Sequence, residues 1–178
     1  MKHLRTLVWF IFVSIAVQLI ACERDQEESP EETETLTTDQ FLLAEAEKTE
    51  GYVYFNFSDV YLDKSSGSGH SQPHLRTRYN SIAAASLDAS GRVKGNATFA
   101  EGSIIVKDLL NADKTINLYA ILYKKSDHKD ADEKGWVWGY VEPSGTIRAG
   151  AANKGSACIS CHSQSGNIDY MLMNKFYP

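Results

Sequence analysis

Cys158-Ile-Ser-Cys161-His162 sets two thiols three residues apart, with an imidazole directly behind the second. Three chemistries use such a cluster. The two sulfurs can add as thioethers to the vinyl groups of a haem, the histidine then reaching the iron from the proximal side. They can supply part of a zinc site, or cycle as a redox disulfide. Zinc would need two further ligands with similar clustering. His70, His74 and His128 show neither a second cysteine pair nor paired-histidine spacing. A thioredoxin-like disulfide needs a βαβ context, and no such alternation is visible. The first expectation is therefore one covalent haem c per chain, with Cys158 and Cys161 as attachment points and His162 as the iron ligand.

The chain has one other cysteine. It opens with Lys2 and Arg5, followed by an almost wholly apolar run from Leu7 to Ile20. That is a secretory signal pattern, short and weakly flanked for a membrane span. The run ends in Leu19-Ile20-Ala21-Cys22, which resembles the lipobox of bacterial lipoproteins. Residues 1–21 are thus expected to be a lipoprotein signal peptide, and Cys22 the lipidated N-terminus of an extracytoplasmic protein. Glu23, rather than aspartate, leans towards the outer membrane. The alternative is an ordinary signal peptide followed by a free thiol, an oxidation liability in that compartment.

Residues 22–50 hold eleven acidic and two basic side chains, whereas residues 51–178 hold twelve acidic and fourteen basic. The acidity belongs to a tether, residues 22–38, too poor in apolar residues to fold. Residues 39–178 are enough for one domain. No basic patch with interleaved aromatics points to nucleic acid.

The elements that must position the cysteines are mostly strands. Asp39 is a plausible N-cap for a helix over DQFLLAEAEK. Gly51–Phe57 is aromatic and β-branched enough for a strand, and Asp63–Pro73 is a loop by composition. A short helix over NSIAAASL is followed by two strands, SIIVKDLL and INLYAILYKK. GWVWGYV and TIRAG then flank the turn EPSG as a hairpin. The cysteine segment itself is expected to be helical. The predicted class is α+β and mainly β: an antiparallel sheet, a few flanking helices and a C-terminal haem segment.

This order excludes two common haem proteins. Small electron-transfer cytochromes carry the motif early and a methionine ligand well downstream. Here sixteen residues follow His162, and Met171 and Met173 read as core fillers. Four-helix cytochromes place the motif late but consist of long amphipathic helices.

FAEGSIIVKDLL, LYAILYKK, GWVWGYVEPSG, ACISCH and IDYMLMNKFYP occur here in the order found in the cytochrome P-460 family, and roughly His70 to Pro178 resembles it. The resemblance implies a mainly antiparallel β-fold, usually a homodimer. It implies one His-ligated haem per subunit with the opposite face open or weakly occupied. Members either oxidise hydroxylamine or bind diatomic gases.

Single positions carry over from the resemblance. The lysine linked covalently to the haem ring in the family's enzymes matches Lys107. Strand alternation independently puts Ile105, Lys107 and Leu109 on one face. An ammonium there is costly to bury without a partner or a bond, unless it snorkels out from a sheet end. HLRTRY resembles a segment with an arginine near the haem, which maps onto Arg76, with Arg78 two residues on as the alternative. Lys107 and Arg76 are the candidate catalytic residues. The hydroxylamine-oxidising members place a carboxylate over the iron from the strand matching LYAILYKK. No acid occurs here between Asn117 and Ser126. Ala120, Leu122 or Tyr123 should face the iron instead, Leu122 first. The expected function is a five-coordinate c-type haem acting on small nitrogen oxides, by hydroxylamine oxidation or nitric oxide detoxification. A soluble cytochrome would accept the electrons. Non-catalytic nitric oxide or carbon monoxide binding, or simple electron transfer, are the alternatives.

Overall fold

A computed structural model describes residues 36–178. The expected signal peptide, Cys22 and all but the last residues of the tether lie outside the described residues. Among the described residues no helix is long and apolar enough to cross a membrane.

The chain begins with α1 (Thr38–Glu47). Its N-cap is Thr37 rather than Asp39. Thr37 Oγ1 accepts from the Gln40 N–H, and Gln40 Oε1 accepts from the Thr37 N–H at 2.7 Å, a reciprocal capping box. The Asp39 carboxylate instead accepts the Ala151 N–H at 2.8 Å, tying the helix to the far end of the fold.

Seven antiparallel strands follow: β1 (Tyr52–Tyr54), β2 (Leu62–Asp63), β3 (His74–Asn80), β4 (Ile104–Leu110), β5 (Ile116–Lys124), β6 (Trp136–Val141) and β7 (Ile147–Ala149). They form one sheet in the order β1-β3-β4-β5-β6-β7, with β2 pairing on β3. The expected strand through Phe57 stops at Tyr54. Asn56 and Phe57 both take φ 54°, and the Asn56 N–H donates to the Gly91 carbonyl at 3.0 Å. Three short helices complete the fold: α2 (Ser81–Ala84), α3 (Ile159–His162) and α4 (Met173–Phe176).

The central strands are buried on both sides, which is why they read as continuous apolar runs. One face carries Ile105, Leu109, Leu118, Leu122, Trp136 and Trp138, packed against Phe99, Tyr170, Met171 and Met173. The other carries Ile104, Val106, Tyr119, Ile121 and Val137, covered by Leu42 and Ala46 of α1. Both methionines are buried, as expected of core fillers. Thr77 Oγ1 donates to the Met173 sulfur at 3.2 Å.

Candidate functional site

Strand register builds the floor of the site. Lys107 on β4 lies between Thr77 on β3 and Ala120 on β5, and Ala120 pairs with Tyr140 on β6. The next row on the same face runs Tyr79, Ile105, Leu122, Trp138. Threonine and alanine beside Lys107 leave room above it. A cavity of about 460 Å³ opens over these rows, and Lys107, Leu122, Cys158, Cys161 and His162 all line it. Five residues separated by up to 55 positions in sequence thus meet at one place.

The wall opposite the sheet comes from the C-terminal segment. Gly155 takes φ +69°, and a Cβ there would lie 2.6 Å from the Trp138 ring. Glycine is what lets the Cys158 turn come down onto Trp138. His162 meets the same ring edge-on, centroids 5.3 Å apart. Its Nδ1 lies 2.8 Å from the Tyr170 carbonyl oxygen. A carbonyl only accepts, so Nδ1 carries the proton and Nε2 keeps a free lone pair. Burial, and then the Lys107 ammonium, push the imidazole down to about 4, against the Tyr170 carbonyl, which raises it. The ring is neutral near pH 7, as a metal ligand must be. Cys158 and Cys161 are free thiols.

Lys107 faces the cavity with no ion-pair or hydrogen-bond partner among the described residues. Desolvation pushes its ammonium down to about 8. Leu122 lines the cavity, as does Ala120, while Tyr123 points to the other face and packs on Phe41, centroids 5.3 Å apart.

Arg76 does not reach the cavity. Alternation sends Arg76 and Arg78 through the opposite face of the sheet, where both bind the fully buried Asp108 at 2.9 Å. Arg78 also donates to the carbonyls of Ala46 and Lys48 at the end of α1. The expectation of Arg76 or Arg78 at the haem is therefore corrected: Thr77, between them, is the β3 residue on the cavity side, and the arginine that lines the cavity is Arg148.

Three features of the site had no counterpart in the sequence reading. His70 lines the cavity, its ring centre 6.4 Å from that of His162. Its Nδ1 lies 3.3 Å from Tyr140 Oη, and burial pushes it down to about 3. The loop carrying it is held by the C-terminal tail: Tyr177 Oη accepts the Ser65 N–H at 3.1 Å and donates to the Asp63 carbonyl at 3.0 Å. Phe176 closes over Gly67. The flanking Gly67 and Gly69 were the available signal for a close approach at His70. Period-two alternation from Trp136 and Trp138 would have found Tyr140.

These residues suit a haem. Two thiols and the neutral imidazoles of His162 and His70 converge on a cavity with a largely aliphatic and aromatic lining and, among the described residues, no carboxylate. They do not suit zinc: no group of three or more histidine, cysteine, aspartate or glutamate side chains is placed to hold a metal ion among the described residues. The family model for cytochrome P460 matches residues 56–173. The chain belongs to the cytochrome P460 family. It is accordingly a haem protein, and the matched span contains the whole cavity floor and the cysteine motif. No curated protein and no solved structure matches the chain significantly.

Proposed function

We propose that this cytochrome P460 chain is a mono-haem c-type cytochrome that takes small nitrogen oxides, nitric oxide first, at a five-coordinate iron ligated by His162. In this reading Cys158 and Cys161 would hold the haem through thioether bonds to its two vinyl groups. The haem, once bound, supplies a redox-active iron with one open coordination position. The chain's own residues do the rest. His162 offers its Nε2 lone pair, held by the Nδ1 hydrogen bond. Ile105 and Leu122 give the sheet side of the cavity an apolar surface.

The observation that carries the reading is the absence of any carboxylate from the described cavity lining, opposite a neutral histidine. Hydroxylamine oxidation sheds protons and calls for a nearby acceptor with a matched pKa. His70, at about 3, is too weak a base for that task. Binding or detoxification of a neutral diatomic needs no such group. Anchoring through lipid on Cys22, an outer-membrane location, a soluble cytochrome partner and a homodimer complete the proposal. The Leu19-Ile20-Ala21-Cys22 tetrapeptide supports the anchor.

A second reading has one observation in its favour. His70 stands in the same cavity as His162 with its Nδ1 engaged by Tyr140. Were its Nε2 to take the sixth position, the protein would serve electron transfer alone. Ferric and ferrous absorption spectra with nitric oxide titration separate the two. High-spin iron that binds nitric oxide at once supports the first reading. Low-spin iron that becomes high-spin in His70→Ala establishes the second.

A further inference from the structure

Asp169 and Tyr170 are consecutive non-glycine residues with φ of 45° and 72°. Ile168 and Met171 exchange both backbone hydrogen bonds at 2.8 Å. The four residues therefore form a two-residue turn with both central positions left-handed, the I′ pattern that favours asparagine, aspartate or glycine. Tyrosine at its second position is unfavourable. Backbone strain of this kind persists only where the surroundings over-determine it, and it gathers at functional sites.

The surroundings here are specific. Asp169 Oδ1 accepts from Trp136 Nε1 at 3.1 Å. Asp169 Oδ2 accepts from the Phe99 N–H at 3.0 Å, with Lys124 Nζ at 3.5 Å. Its side chain is 9% exposed, so these contacts face little competition from water. They nail the turn to β5, β6 and the segment before β4. The pairing of Ile168 with Met171 leaves the Tyr170 carbonyl unused within the turn. That carbonyl is the one that takes the His162 Nδ1–H at 2.8 Å.

We propose that Asp169 is a positioning residue for His162: its carboxylate pins the strained turn whose Tyr170 carbonyl orients the imidazole and sets its donor strength. This rests on the reading of His162 as the iron ligand. A hydrogen bond from Nδ1 raises the basicity of the ligating nitrogen. A stronger donor favours ferric over ferrous iron and stiffens the iron–histidine bond. Asp169→Ala releases the turn, so the reduction potential rises and the ferrous iron–histidine stretching frequency falls. Covalent haem on a denaturing gel stays at the wild-type level.

Resonance Raman spectroscopy and potentiometry on the full holoprotein test this, with two milder variants beside Asp169→Ala. Trp136→Phe keeps the ring and removes one donor to the carboxylate. Asp169→Asn keeps one acceptor oxygen and the left-handed preference. Both should shift the same way by less than Asp169→Ala. If Asp169→Ala does not fold, the graded shift of the other two carries the test. Unchanged frequency and potential in every variant that holds haem overturn the inference. A wild-type protein lacking the iron–histidine band overturns the five-coordinate reading itself, a different and separately visible result.

Discussion

Lys107 and Asp108 are neighbours in the chain and lie on opposite faces of one sheet. Lys107 faces the cavity without a partner among the described residues; Asp108 faces the other side and binds Arg76 and Arg78. The strand thus separates a site for chemistry from a site for stability. Breaking a buried ion pair by removing one partner costs about 3–5 kcal/mol. Asp108→Ala should lose stability of that order, measured by denaturant unfolding. Arg76→Gln, at the more exposed end, should lose less. Neither should move the haem absorption bands; a shifted Soret band in Arg76→Gln would return that arginine to the haem side.

Haem attachment is the most direct prediction. Cys158→Ser with Cys161→Ser should abolish haem staining after a denaturing gel, because thioethers survive denaturant. His162→Ala should still stain and lose its proximal ligand. Staining that persists in the double variant would defeat the c-type assignment.

If Lys107 is bonded to the haem ring, as the family resemblance implies and as an external two-electron oxidant would allow, the absorption moves to longer wavelength. An amine held at about 8 by desolvation is substantially unprotonated at mildly alkaline pH, the state that forms bonds. Lys107→Ala should restore an ordinary c-type spectrum. Peptide mapping of the holoprotein that finds Lys107 unmodified would falsify the link.

Leu122→Glu should add the missing acid to the cavity wall. Hydroxylamine turnover by the variant is expected to rise above wild type while nitric oxide binding weakens. Steady-state oxidation with a cytochrome acceptor reads the first, and ligand titration the second.

The haem-free double-serine variant should show a marked acid dependence. His162 and His70 fall from about 6.5 in the unfolded chain to about 4 and about 3 in the fold. Below about 6.5 the unfolded chain binds protons that the folded one refuses. Stability is therefore full above that pH and is lost as pH falls towards 4. Each proton contributes at most about 1.4 kcal/mol per pH unit. His70→Asn should roughly halve the slope of unfolding free energy between pH 6 and 5. A flat profile there would show that the imidazoles are not buried as neutral rings.

The strands, their hairpins and the face shared by Ile105, Lys107 and Leu109 were legible because period-two alternation survives in β4. The cluster of Cys158, Cys161 and His162 was visible because its spacing is local, and the structure brings all three to one cavity. Arg76 was misplaced by a resemblance, although alternation from Thr77 beside Lys107 decides its face once register is known. Register between β3 and β4 depends on a connection of more than twenty residues and leaves no mark in either strand. His70 was missed because its place in the cavity depends on Phe176 and Tyr177, a hundred residues later. The Asp39 N-cap failed by two residues, because Asp39 had a distant partner in Ala151.

The C-terminal tail closes the cavity through Tyr177 and Phe176. Every strand of the sheet precedes Cys158. Along the chain, then, the strands that make the floor of the site come before the two thiols, and the residues that hold the His70 loop come after them. The hold of Tyr177 on the loop before β3 thereby ties together the two ends of a stretch of chain that contains β3 to β7.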